Sequence, residues 1–217
     1  MPLRRVSLGS ILLAAVLAAG PAAAATPAQV SGFFRAVQMD DARSVASMLG
    51  TQVDPNETNP VGGEPALVLA VREGSMDVFK ALLAHPGIRV DTPAINGNTA
   101  LMMAAFKSNL PAAEALIAKG AAVNRPGWTA LHYAAAAGDD AIAGLLLQRG
   151  ARIDAVSPRA SGSYTPLMMA AREGKEDTAL FLLKQGASPK LKNGEGLTAA
   201  QIAARADHAA LAKALAP

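Results

Sequence analysis

The side chains able to do chemistry are few and scattered. The three histidines, His85, His132 and His208, show no His-x-x-x-His or His-Glu-x-x-His spacing. No two imidazoles therefore share a helical turn as a zinc site of that kind requires. The chain has no cysteine, which removes disulfides, thiolate metal sites, a cysteine nucleophile and a lipid-modified N-terminal cysteine. A nucleophilic serine would need a G-x-S-x-G turn, and Gly162-Ser163 lacks that frame. No Walker A or G-x-G-x-x-G phosphate cradle occurs, and Asn193-Gly194-Glu195-Gly196 reads as a turn. The carboxylates Asp139-Asp140 follow Gly138 and open a helix, where they offset its positive end. Asp40-Asp41 are placed the same way. The pairs Met102-Met103 and Met168-Met169 could hold a soft metal or fill a core; methionine's adaptability favours the core. No residue is assigned a catalytic, metal or cofactor role.

The elements that carry these residues are helical. Hydrophobic residues make up 51% of the 217, yet aromatics only 4%. Small side chains suit closely packed helices, whereas a β-sandwich asks for β-branched and aromatic ones. Residues 1–25 stand apart. Arg4-Arg5, an apolar run from Ile11 to Ala19 and the small-residue segment ending Ala23-x-Ala25 form the pattern of a cleaved export signal. The run is too short to span a bilayer, which takes about 20 residues. Cleavage is expected after Ala25 by the general secretory route, placing the mature protein in the bacterial periplasm or outside the cell. The mature chain then keeps 18 basic against 17 acidic residues. That balance argues against nucleic-acid or membrane-surface binding, and the mature chain is expected to be monomeric when unbound.

Residues 26–217 repeat themselves. Pro65-Ala-Leu-Val-Leu-Ala-Val, Thr99-Ala-Leu-Met-Met-Ala-Ala, Thr129-Ala-Leu-His-Tyr-Ala-Ala, Thr165-Pro-Leu-Met-Met-Ala-Ala and Thr198-Ala-Ala-Gln-Ile-Ala-Ala start 34, 30, 36 and 33 residues apart. An eroded copy begins near Ser31. A second motif follows in Leu116-Ile-Ala-Lys-Gly-Ala, Leu146-Leu-Gln-Arg-Gly-Ala and Leu182-Leu-Lys-Gln-Gly-Ala. Two ordered motifs at this period resemble the ankyrin-repeat family, over essentially all of residues 28 to 216. Only Thr165-Pro166 keeps the family's Thr-Pro pair, and only His132 its motif histidine.

Each copy holds two short apolar runs, with Gly74, Gly138 and Gly174 as turns between them. Lone helices of that length are marginal, but stacked pairs share a continuous core. An all-α solenoid of about six helix-turn-helix repeats joined by β-turn fingers is predicted, with eroded caps at both ends. The motif threonines cap first helices. Leu67, Leu101, Leu131 and Leu167 should point inward, as should Leu83, Ile117, Leu147 and Leu183. The finger at Arg125–Trp128 is short, and the one between Asp154 and Thr165 is long.

The resemblance implies protein–protein recognition through a concave face built from fingers and inner helices. By repeat position, Asn98, Phe106, Lys107, Trp128, Tyr164, Arg172 and Glu173 are the candidate partner-binding residues. Trp128 and Tyr164 precede the motif threonine at a finger position that is solvent-facing in the family; they serve either as contacts or as packing between fingers. Arg172-Glu173, like Arg72-Glu73, form either a solvated helix end or polar contacts. For His132 the family implies a structural hydrogen bond to the neighbouring finger. The expected role is a non-catalytic accessory or regulatory subunit, or alternatively an immunity-type inhibitor of a periplasmic toxin. The rival of a different class is a metal-handling protein or an enzyme.

Overall fold

The computed structural model describes residues 24–216. Residues 1–23 of the export segment lie outside that range, and the expected cleavage bond, Ala25–Thr26, lies just inside it. Twelve α-helices form six antiparallel pairs among the described residues: α1 (Pro27–Gln38) with α2 (Ala42–Met48), α3 (Ala66–Glu73) with α4 (Met76–Ala84), α5 (Ala100–Phe106) with α6 (Leu110–Ala118), α7 (Ala130–Ala137) with α8 (Asp140–Gln148), α9 (Pro166–Arg172) with α10 (Glu176–Lys184), and α11 (Ala199–Arg205) with α12 (Ala209–Ala214). No described helix is long and apolar enough to cross a membrane. Among the described residues, extended structure amounts to two isolated bridges, Leu49 to Val53 and Thr58 to Pro65.

The odd-numbered helices stack in one continuous row, each touching the next, and the even-numbered helices pack behind their partners. Alanine makes the inner row possible. Ala70, Ala100, Ala104, Ala134 and Ala170 are fully buried, so neighbouring backbones approach closely. Leu67, Leu101, Leu131 and Leu167 point into the core as predicted. In the outer helices the register is shifted by one residue from the prediction. Leu82, Leu116, Leu146 and Leu182 are fully buried, whereas Leu83, Ile117, Leu147 and Leu183 are only partly covered. Adjacent leucines lie about 100° apart on a helix, so one of each pair meets the inner row and the other slides to the edge.

Each hairpin turn has the same geometry. The residue just before the outer helix's N-cap has positive φ: Asp40, Gly74, Ser108, Gly138, Gly174 and Asp207. Three are the predicted glycines. The others include two aspartates, whose short side chains tolerate the left-handed region. Asp40 therefore occupies the turn, not the helix start. Asp41 and Asp139 are the matching N-caps, accepting from Ser44 N–H at 3.0 Å and Ile142 N–H at 2.8 Å. Asp40 and Asp140 instead reach the next repeat. Asp40 accepts from the Asp77 and Val78 amides at the start of α4, and Asp140 accepts from the Thr178 hydroxyl.

A ladder of Asx side chains ties successive fingers. Asn56 accepts from Arg89 N–H at 2.7 Å, Asp91 from Ala122 N–H at 3.1 Å, Asn124 from Arg152 N–H at 2.9 Å and Asp154 from Ser188 N–H at 3.0 Å. Asn56 and Asn124 also donate back, to the Gly87 and Gly150 carbonyls. Asn124→Ala should therefore lower unfolding stability by about 1–2 kcal/mol in urea denaturation. A change below about 0.3 kcal/mol would show that solvent replaces the rung.

Candidate interaction cleft on the inner face

Three repeat positions line the face of the inner helices. The finger residue before each motif threonine is Glu64, Asn98, Trp128, Tyr164 or Leu197. Four residues after that threonine's position stand Leu69, Met103, Tyr133, Met169 and Ile202, and three further on stand Arg72, Phe106, Ala136, Arg172 and Arg205. Positions three apart share a helix face, so the rows run side by side along the array. Ala136 falls between the larger Phe106 and Arg172, and this small–large alternation opens a cleft. It measures about 300 Å³ and is lined by Phe106, Trp128, His132, Tyr133, Ala136, Met169, Arg172 and Glu173.

Its aromatic wall is preorganised. Phe106 and Tyr133 meet edge to face at 6.2 Å, and Trp128 packs 6.2 Å from Tyr133 and 5.2 Å from His132. The Tyr133 hydroxyl donates to Asn98 Oδ1 at 2.6 Å. Burial raises the phenol's pKa, so it stays protonated and keeps that bond. Phe106 is 53% exposed despite its size. On the opposite side, Arg172 Nε donates to Glu173 Oε1 at 2.9 Å, and Nη2 forms an ion pair with the same oxygen at 2.9 Å. The Arg172 guanidinium also lies over the Tyr164 ring, 5.3 Å from its centre. In the second repeat Arg72 bridges Glu64 and Glu73 in a comparable way.

His132 holds the floor and is fully buried. The Thr129 amide donates to Nδ1 at 3.2 Å, and Nε2 lies 3.0 Å from the Tyr164 carbonyl. An amide N–H can only donate, so Nδ1 is the acceptor and the neutral ring carries its proton on Nε2. This is the bond to the neighbouring finger that the resemblance implied. Burial is what lowers this imidazole's pKa to about 4; its contacts to the Tyr164 and Ala155 backbone oppose the drop. The site is otherwise a capping box. Gln201 Oε1 takes the same amide in the last repeat, and Met168 Sδ does so in the fifth. Met102 and Met168 are buried core residues.

Tyr164 departs from its solvent-facing expectation, being only 8% exposed. The long finger folds back on itself, with the Tyr164 amide donating to Ser157 Oγ and the Ser157 amide donating to the Tyr164 carbonyl, both at 2.8 Å. A side chain on Gly162 would collide with the Tyr164 ring at 2.5 Å. Tyr164 therefore serves as packing between fingers and as the platform for Arg172. Trp128 is half-buried, packed against His132 and Tyr133 with part of its ring lining the cleft. Of the other candidates, Phe106, Arg172 and Glu173 meet in the cleft and Asn98 braces its wall. Lys107 is exposed and forms no ion pair among the described residues. Sequence reasoning missed Tyr133, Ala136 and Met169. Lining up the fourth and seventh positions after the motif threonine would have found them.

A family model described as ankyrin repeats (3 copies) matches residues 33–126, 67–157, 122–193 and 157–217. The chain is 32% identical over 163 residues to protein glp-1 of Caenorhabditis elegans, covering 68% of this chain and 12% of that protein. To the mouse nuclear factor NF-kappa-B p105 subunit it is 34% identical over 142 residues, 62% of this chain and 14% of that one. To the mouse RelA-associated inhibitor it is 33% identical over 150 residues, 67% and 18% respectively. The chain thus spans less than a fifth of these relatives' lengths. What it shares with them is the repeat array, and on the strength of its paired helices, its periodic motifs and these matches the chain belongs to the ankyrin-repeat family.

Proposed function

We propose that this protein is a non-catalytic accessory or regulatory subunit that captures a partner protein on its inner face, in the bacterial periplasm. Ankyrin repeats are a protein–protein interaction module, which gives the general role. The observation that carries the specific reading is the cleft around Phe106. A large aromatic ring stays half in water against Tyr133, which Trp128 and Asn98 in turn fix in place, and exposed aromatics on a preorganised surface are candidates to dominate binding energy. Names among the relatives, a RelA-associated inhibitor and an NF-kappa-B subunit, describe proteins that act by associating with others. Location rests on the signal pattern of residues 1–25 and is tested by fractionating cells and measuring the mature mass.

The test is affinity capture from the envelope of the encoding organism. Phe106→Ala/Trp128→Ala should weaken a stoichiometric partner's binding by about 30-fold or more, the loss of one or two hot spots. Leu180→Ala, on the outer helix α10, should leave it unchanged. Equal capture by all three folded proteins would move the interface off this face.

A further inference from the structure

We propose that the cleft between α7 and α9 is a socket for one arginine side chain of the partner polypeptide, its guanidinium stacking on the aromatic wall and ending on Glu173. This deepens the interaction reading above and rests on it. The cleft's size fits a single long side chain, since about 300 Å³ is the lower end of ligand cavities. Its chemistry is cationophilic. Phe106, Tyr133 and Trp128 line it, and ring faces attract cations. His132 contributes no opposing charge, because its ring is neutral.

Glu173 supplies the acceptor. Its Oε1 takes the hydrogen bond and the ion-pair contact from Arg172, while Oε2 makes no hydrogen bond among the described residues. Among the lining residues Arg172 is the single cation, and its guanidinium is already turned onto the Tyr164 ring. The surface therefore already stacks a guanidinium on an aromatic beside a carboxylate, next to the proposed socket. An apolar occupant would cover Glu173 without satisfying it. A carboxylate would face both the ring electrons and Glu173. Arginine suits the site better than lysine because its planar, weakly hydrated head stacks and bonds to a carboxylate at once.

Trp128 is the single tryptophan of the chain, so its emission reports the cleft directly. The purified protein is titrated with acetyl-Gly-Arg-Gly-amide and with the citrulline, norleucine, lysine and glutamate counterparts. The arginine peptide should give a saturable change in Trp128 emission, with at least tenfold weaker binding of each counterpart. Glu173→Gln should reduce the preference for arginine over citrulline at least threefold, and Ala136→Leu should abolish binding by filling the notch. Circular dichroism checks that both variants remain folded. Citrulline or lysine binding as tightly as arginine would overturn the assignment, as would the lack of a saturable response. Partner capture that still needs Phe106 and Trp128 in that case would leave the interaction reading standing while the arginine socket falls.

Discussion

Acidification from pH 6.5 to pH 4 should remove about 3 kcal/mol of stability through His132 alone. Burial lowers the folded-state pKa of this imidazole from 6.5 to about 4. Between those values the unfolded chain takes up a proton that the folded chain refuses. The contribution of neutral His132 is thus complete above pH 6.5 and is lost as pH falls toward 4, at about 1.4 kcal/mol per pH unit. Against a typical stability of about 5–15 kcal/mol, this is a large effect. It should appear as a lower urea midpoint at pH 4.5 than at pH 7. His132→Gln is the informative comparison. Glutamine already fills the same capping position as Gln201 in α11, and it does not titrate. The variant should be weaker at pH 7, since the cross-finger bond to Tyr164 changes, yet lose less stability than the wild type across the window, the remaining slope coming from carboxylates such as Asp41 and Glu195 whose pKa is lowered in the fold. Parallel pH profiles for the two proteins would place the acid sensitivity elsewhere.

The second large effect separates two adjacent leucines. Leu146→Ala should cost about 3 kcal/mol, within the range of buried leucine truncations, because this side chain is fully enclosed in α8. Leu147→Ala should cost about 1 kcal/mol or less, because its side chain is only partly covered. In a repeat array each unit is stabilised chiefly by its neighbours, so the loss at this central repeat weakens the interfaces on both sides. Guanidinium denaturation of the two variants decides between the registers. Equal losses would mean that α8 presents a different face to α7.

These two cases show where the sequence was legible. Inner-row leucines were readable because each stands two residues after a recurring motif start, capped by the Thr99 and Thr165 hydroxyls in two of the copies, and a fixed start determines which residue faces inward. The outer helices offered two or three consecutive apolar residues. Composition cannot choose among them, because the choice depends on how far the helix is rolled against its partner. Asp40 teaches the same lesson. It looks like Asp139 in sequence, but the turn places it one position earlier, at positive φ.

The sequence by itself determined the architecture, since a short repeat that cannot bury its own apolar face has to stack on copies of itself. It also determined the role of His132 and half of the residues that gather at the cleft, namely Phe106, Trp128, Arg172 and Glu173. Only the tertiary structure decided which aromatics face water. Tyr164 and Trp128 hold the same repeat position, yet the first is covered and the second is half-open. The cause is a difference in finger length, since the longer loop has enough chain to fold back and bond its own backbone. The cleft likewise exists only in three dimensions. Ala136 is unremarkable in sequence, and it becomes a notch when stacking sets it between Phe106 on one helix and Arg172 on another.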